Sequence, residues 1–390
     1  MKNKTKTQVN VKFPCQLVLL LLLMMLNCKQ QDPDVVMIND DDALEVNFDD
    51  VATDIRVVPI KSEELINGSI MMLSYNDHEL LMLDYRQKTI YYFYDNVLRG
   101  KLNAIGRGPG EYKMIDKFTY SPEEKMLYVT VFTRGLVLKY SVPDMKFCGK
   151  IQVDARIGNL AINDNKTFLM AICNDSLTQY STQIVDKISG DTLKRVQMLN
   201  ASQYNSSDRS LSNYCSDSKL MSTWGTVNTI GIISNRNKYE VLFKYSYGKK
   251  GIPDRLYNFD SNDSNGSISL LRYRLSDEGE QSLEGCYFPK KESNEISFWY
   301  NRAIPNDAFY CFYRQTKDSV THYKGFKVAG LNIPIVPKCS TESGYVSIFE
   351  GTPDSYIDSM EVASPLAKRI LDTMREQKDN NPVLVYYNIK

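Results

Sequence analysis

Histidine is almost missing from this sequence: His78 and His322 are the two in 390 residues. A histidine-rich metal site or a catalytic triad therefore has little to draw on, and no metal and no cofactor is expected. Net charge is missing as well. Lys+Arg 47 stand against Asp+Glu 47, which removes the basic footprint of a nucleic-acid binder. The eight cysteines form no C-x-x-C pair, so zinc-ribbon and thioredoxin-like chemistry has no support. Neither a G-x-S-x-G elbow nor an H-E-x-x-H helix occurs, and no catalytic residue is assigned. Beyond residue 26 no apolar run approaches the ~20 residues of a membrane helix.

What is present first is an address. Lys2, Lys4, Lys6 and Lys12 precede the unbroken apolar run Leu17–Leu26. Ten residues rise only about 15 Å as a helix, half of a ~30 Å hydrocarbon core. The segment therefore reads as a signal peptide, residues 1–27. Cys28 follows directly, at the border between the apolar run and a polar stretch. This arrangement resembles a bacterial lipoprotein signal, in which the chain is cut before the cysteine and its thiol is diacylated. The resemblance implies a lipid anchor (palmitate-type acyl chains) at Cys28, the membrane as a partner through that lipid, and a cell-envelope, outer-membrane location on the periplasmic or surface face. Cleavage removes four lysines and no acid, leaving 43 basic residues against 47 acidic. Residues 28–45, acidic and polar, read as a flexible tether, and residues 46–390 as the folded domain. The remaining cysteines, Cys148, Cys173, Cys215, Cys286, Cys311 and Cys339, lie largely in strand-like text. They read as mostly free thiols, with pairing open in an exported chain.

The body repeats short β-rich runs. Twenty-six tyrosines and fifteen phenylalanines favour half-buried strands. Ile55–Ile60, Glu79–Leu83, Thr89–Tyr94, Met126–Phe132 and Leu136–Tyr140 each end in Asp, Asn, Gly or Pro turns. The pair around Glu79 and Thr89 returns about 46 residues later around Lys125 and Gly135, a period suited to a propeller blade. The pattern blurs at 200–223 and 258–285, then resumes through Tyr345–Phe349. A domain of this length fits six units with long loops. Ser364 and Pro365 open one short C-terminal helix, with Leu366, Ile370 and Met374 on one face. The strand Pro382–Tyr387 is placed to pair with an N-terminal strand and close a ring.

The most specific motif is Ile105-Gly106-Arg107-Gly108-Pro109-Gly110-Glu111-Tyr112. Its glycines permit φ > 0 and its proline stiffens the centre, so it demands a tight loop. A phosphate loop is excluded, because no Lys-Ser/Thr and no helix follows. With Val57–Ile60, Leu81–Asp84, Ile90–Tyr94, Met114–Phe118 and Met126–Val129 around it, the motif resembles the six-bladed β-propeller lipoproteins of gut Bacteroidetes. That resemblance implies an exported, all-β, six-bladed propeller, mostly without assigned activity among its members. Two readings of the loop compete. In the structural one, Arg107 pairs with Glu111, Tyr112 packs and the glycines make the turn. In the other, Arg107, Glu111 and Tyr112 line a ligand site.

Two functions are carried forward. The first is a non-catalytic, monomeric binding or scaffold module whose loops contact a glycan, a peptide or an envelope protein. The alternative is a propeller enzyme (lactonase, lyase or glycan hydrolase), for which Asp84, Asp116 and Asp186 would have to converge at the central channel. Trp299 and Trp224 are read as packing between blades. His78 is read as a turn residue, and the acid clusters at 40–42, 49–50 and 123–124 as mostly solvated turns.

Overall fold

The computed structural model describes residues 35–66, 70–76, 78–131, 135–154, 156–174, 179–199, 211–214, 218–223, 228–233, 239–248, 284–292, 295–304, 307–331, 334–341, 344–350, 364–377 and 381–390. Trp224 lies outside them. Three strands come first: β1 (Val35–Met37), β2 (Leu44–Asn47) and β3 (Ala52–Pro59), with the one-turn helix α1 (Phe48–Val51) before β3. Four-stranded antiparallel sheets follow in chain order. The first holds β4 (Ile70–Asn76), β5 (Glu79–Asp84), β6 (Thr89–Tyr94) and β7 (Val97–Leu102). The second holds β8 (Ile115–Ser121), β9 (Met126–Val131), β10 (Leu136–Ser141) and β11 (Phe147–Gln152). The third holds β12 (Arg156–Ile162), β13 (Thr167–Asn174), β14 (Gln179–Asp186) and β15 (Thr192–Leu199). The fourth holds β16 (Leu211–Tyr214), β17 (Ser218–Thr223), β18 (Asn228–Ile233) and β19 (Tyr239–Ser246). The fifth holds β20 (Glu284–Glu292), β21 (Glu295–Ile304), β22 (Asp307–Gln315) and β23 (Val320–Lys327). The sixth is β24 (Pro337–Ser340), β25 (Tyr345–Phe349) and β26 (Val383–Ile389), completed by β3.

The first strands of successive sheets touch in a closed circuit: β4 with β8, β8 with β12, β12 with β16, β16 with β20, β20 with β24, and β24 with β4. This is a six-bladed propeller, with those strands around the axis. Closure follows the expected route. β26 pairs antiparallel with β3, from Val383 opposite Pro59 to Ile389 opposite Ala52, so the N-terminal strand is the outermost strand of the last blade. The helix α2 (Pro365–Arg375) also forms as read. Ser364 caps it, accepting from Ala367 N at 3.1 Å, and Leu366, Ile370 and Met374 are buried.

The core lies between blades, because middle strands such as β5 and β6 are buried on both faces and both must be covered. Leu81, Ile90, Tyr92 and Leu102 of the first blade pack against Phe118, Val129, Leu138 and Tyr140 of the second. Trp299 is fully buried between the fifth and sixth blades, among Phe312, Phe326, Tyr345 and Tyr387. It packs as expected and offers no face to a sugar.

The N-terminal segment departs from the expected tether. β1 adds a parallel fifth strand to the fourth blade, alongside β19, and β2 does the same to the fifth blade, alongside β23. Residues 35–59 thus run as a strap across three consecutive blades. Apolar residues within the acidic text explain it: Ile38 is 2% exposed, Phe48 0% and Val51 6%. Asp40 is itself buried, and Asp49 accepts from Ala329 N at 3.1 Å. The tether reading of 28–45 therefore fails from Val35 onward, and Asp40 is no solvated turn residue.

Candidate functional site

In an antiparallel blade, the start of the first strand, the end of the second and the start of the third share one end. Asp84 ends β5 and Asp116 lies at the start of β8, so both sit at the ring face where first strands begin. Asp186 ends β14, a third strand, and sits at the opposite face. The three acids do not converge. Asp186 is a turn residue, accepting from Ile188 N at 2.8 Å and Ser189 N at 2.7 Å, bonds that pull its pKa down. Asp84 is 0% exposed; Oδ1 accepts from Gln87 N at 2.8 Å, and Oδ2 has no partner. Burial raises its pKa. It is sealed inside the β5–β6 turn rather than opened to a substrate.

Two glutamates at the opposite face are clasps between blades. Glu79 Oε1 accepts from Tyr92 (2.6 Å), Tyr120 (2.8 Å) and Lys125 (2.8 Å), joining the first blade to the second. Burial opposes its charge, and bonds from Lys125, Tyr92 and Tyr120 outweigh that, so its pKa falls below the ordinary value. Glu124 does the same between the second and third blades, accepting from Lys187 at 2.9 Å and Tyr128 at 2.8 Å. Glu124 therefore also departs from the solvated-turn reading. His78 pairs with Asp95 at 2.6 Å at an exposed turn. Among the described residues no three His, Cys, Asp or Glu side chains cluster as metal ligands. Cys148, Cys311 and Cys339 form no disulfide, and the last two are buried.

The signature loop connects β7 to β8 and folds back over the part of the second blade that the first leaves uncovered. Tyr112 is its anchor, 1% exposed. Its hydroxyl accepts from Ala104 N (3.2 Å) and donates toward the carbonyls of Lys88 (3.0 Å) and Leu102 (3.1 Å). Burial pushes its pKa up to about 12. The Tyr140 hydroxyl donates to Gly110 O at 2.7 Å, tying the tip to β10. The glycines serve two different needs. Only Gly110 has positive φ, +74°, and a Cβ there would lie 2.4 Å from Phe147 Cγ. At Gly106 the demand is close approach, since a Cβ there would lie 1.9 Å from Glu111 Oε2, whereas at Gly108 the same oxygen would be 3.1 Å away and could yield.

Glu111 and Arg107 part company. Glu111 accepts from Gly108 N at 2.7 Å, across the turn. Arg107 is exposed and has no ion pair or hydrogen bond among the described residues. The expected Arg107–Glu111 pair does not form, because the carboxylate reaches a backbone donor three residues away first. Pro109 is exposed at the tip.

Between the loop and the second blade lies an open groove of about 930 Å³. Its blade wall is Val131 of β9, Leu136 and Leu138 of β10 and Phe147 of β11; its rim carries Arg107, Lys113 and Lys150. The sequence reading found the loop and missed this wall. The alternation Leu136-Val137-Leu138 marked a strand, yet only the folded-back loop shows which of its faces stays open.

The chain belongs to the family described as 6-bladed beta-propeller, DUF5128, which it matches over residues 27–323. Solved structures agree on the fold. A Bacteroides fragilis protein described as exported superposes with a TM-score of 0.67 at 15% identity, covering 91% of this chain and 99% of that one. A DUF4221 family member from Bacteroides vulgatus gives 0.53 at 10% identity, over 87% and 98%. No curated protein matches the sequence. No helix among the described residues is long and apolar enough to cross a membrane.

Proposed function

We propose that this chain is a lipid-anchored propeller of the cell envelope that acts as a non-catalytic binding module. Cys28 carries the lipid, and loops on one ring face meet a glycan, peptide or protein partner. The observation that carries this reading is the groove beside residues 106–114. Its loop is fixed by Tyr112, Tyr140 and Glu111, while the Arg107 side chain at its rim stays unspent. Such rigidity lowers the ordering cost of binding. A propeller supplies a scaffold for a site without dictating its chemistry. The separation of Asp84 and Asp116 from Asp186 weighs against the enzyme alternative, which needs them together.

The test is an unbiased thermal-shift screen of glycans, peptides and metabolites on the mature chain, run beside Arg107→Ala. The expected result is at least one hit whose stabilisation is lost in the variant. A hit turned over to product by the wild type would favour the enzyme instead.

A further inference from the structure

The groove lining narrows the ligand further than the fold does. Its blade wall, Val131, Leu136, Leu138 and Phe147, is aliphatic and aromatic. Among the described residues the lining contains no Asn, Gln, Asp, Ser, Thr, His or Trp, the side chains that would hydrogen-bond a sugar or stack on it. The polar side chains left are Arg107, Lys113, Lys150, Glu111 and Tyr112. Tyr112 is committed to the backbone of Lys88, Leu102 and Ala104, and Glu111 to Gly108 N. The three cations have no partner among the described residues and are all exposed.

A peptide strand is poorly served as well. The groove-side edge of the second blade is β11, where the register shifts opposite Lys139 and Tyr140 and Gly149 has φ +132°. Lys146 and Lys150 flank that bulge, a pattern that discourages edge pairing. A wall without hydrogen-bonding side chains and a rim of unpaired cations complement one chemistry: an apolar body ending in an anion. A volume of about 930 Å³ falls in the range of small-molecule sites, roughly 300–1,000 Å³.

We propose that the groove between residues 106–114 and the β9–β11 face binds a single-chain carboxylate amphiphile. The acyl chain lies on the accessible wall residues Val131, Leu136 and Phe147, and the carboxylate meets Arg107, Lys113 and Lys150. This goes beyond the reading above, which leaves the partner as glycan, peptide or protein. It can fail while that reading stands.

Laurate, kept below its micelle concentration, is the probe, titrated calorimetrically into the mature chain carrying Cys28→Ser. Saturable one-to-one binding is expected, weakening as salt rises. The triple variant Arg107→Gln/Lys113→Gln/Lys150→Gln alters exposed side chains only and should melt like the wild type while binding at least about tenfold more weakly. Leu136→Asn, a half-buried change on the wall, should weaken binding without touching the rim. Uncharged monolaurin should bind more weakly than laurate to the wild type and equally to both proteins. The proposal is overturned if laurate does not saturate the wild type, if the triple variant keeps full affinity, or if monolaurin matches laurate. A glycan or peptide hit from the screen that needs Arg107, with no laurate binding, would sink this assignment and leave the binding module intact.

Discussion

The guanidinium of Arg56 lies 4.7 Å from the ring centroid of Tyr386, directly opposite it in the β3–β26 ladder. One residue belongs to the N-terminal strap and the other to the last strand of the chain, so this stacking spans the seam of the ring. β26 is paired on both sides, with β25 and with β3. Val383, Leu384 and Val385 are fully buried, and Tyr386, Tyr387 and Ile389 are 3–7% exposed. Asn381 extends the seam, accepting from Ile66 N at 2.7 Å and donating to Glu64 O at 3.1 Å.

Deleting residues 381–390 should therefore abolish cooperative folding. Each large apolar side chain lost from the seam is worth ~1.5–3 kcal/mol, and several together exceed a net stability of ~5–15 kcal/mol. The deletion also bares two sheet edges. Soluble yield and thermal melting read the result. A monomeric truncation that melts like the full chain would show that the strand is peripheral.

Glu79→Ala should destabilise the ring more than its position at a turn suggests. It leaves the hydroxyls of Tyr92 and Tyr120, both nearly buried, without their acceptor, at ~1–3 kcal/mol for each unsatisfied group. The bond from Lys125 adds little, because that side chain is 55% exposed. Glu79→Gln keeps an acceptor oxygen and should recover much of the loss. Denaturant midpoints for the two variants check this, and equal losses would remove the clasp from the account.

The central strands were legible in the sequence because both of their faces are buried. β6 (Thr89–Tyr94) and β25 (Tyr345–Phe349) match their expected bounds to the residue, and β26 and α2 lie where capping and apolar spacing put them. The outer strands were harder to read. β7 is VLRGKL, mostly half-buried, and β11 is FCGKIQ, largely exposed, so polar residues and glycines mask their periodicity. The first part of the strap, 35–45, was misread for the opposite reason: three aspartates at 40–42 concealed the buried Ile38. At the candidate site, the turn chemistry of 105–112 was visible at once. The fate of Glu111 was not, since a carboxylate choosing between Arg107 and Gly108 N is a matter of geometry.

The anchor has its own test. Cys28→Ser should move the protein from the membrane to the soluble fraction and abolish labelling by a fatty-acid analogue. Two acyl chains on one thiol-linked glyceride suffice for stable attachment where one does not. Membrane fractionation of the wild type without label would refute the lipid.

Stability should fall between pH 6.5 and about 4 through His322. Burial lowers its pKa to about 4, against the pull of Asp40 and Asp42 and with the help of Lys324. The neutral ring shares a 2.5 Å hydrogen bond with the Tyr300 hydroxyl through Nε2. The unfolded chain takes up the proton near pH 6.5 and the folded one does not until about 4. This contribution is thus complete above 6.5 and lost as pH falls toward 4. Glu79 and Glu124, whose pKa values are lowered from 4.5, act in a more acidic window, because their stabilisation persists until the pH drops below that value. His322→Gln, whose amide can both donate to and accept from Tyr300, should flatten the melting-temperature profile from pH 6.5 to 4.5 and leave the steeper acid limb in place. An unchanged slope in that interval would remove His322 from the cause.

The three signature glycines should separate by mutation. Gly110→Ala meets two penalties. A φ of +74° disfavours any side chain, and the new Cβ would stand 2.4 Å from Phe147 Cγ. Backbone strain of this kind costs about 1–3 kcal/mol, and the steric clash adds to it. Gly108→Ala has neither the positive φ nor a severe clash, its nearest neighbour being Glu111 Oε2 at 3.1 Å. It should cost under about 1 kcal/mol, as a small adjustment of a flexible carboxylate. Gly106→Ala falls between them: its Cβ would sit on the Glu111 carboxylate, which must release Gly108 N to make room. The double variant Gly110→Ala/Phe147→Ala distinguishes the two penalties at Gly110. Removing the ring relieves the clash and leaves the dihedral strain, so rescue of the Gly110→Ala melting deficit should be partial. Full rescue would mean that packing alone demands this glycine. No rescue would mean that backbone conformation alone does.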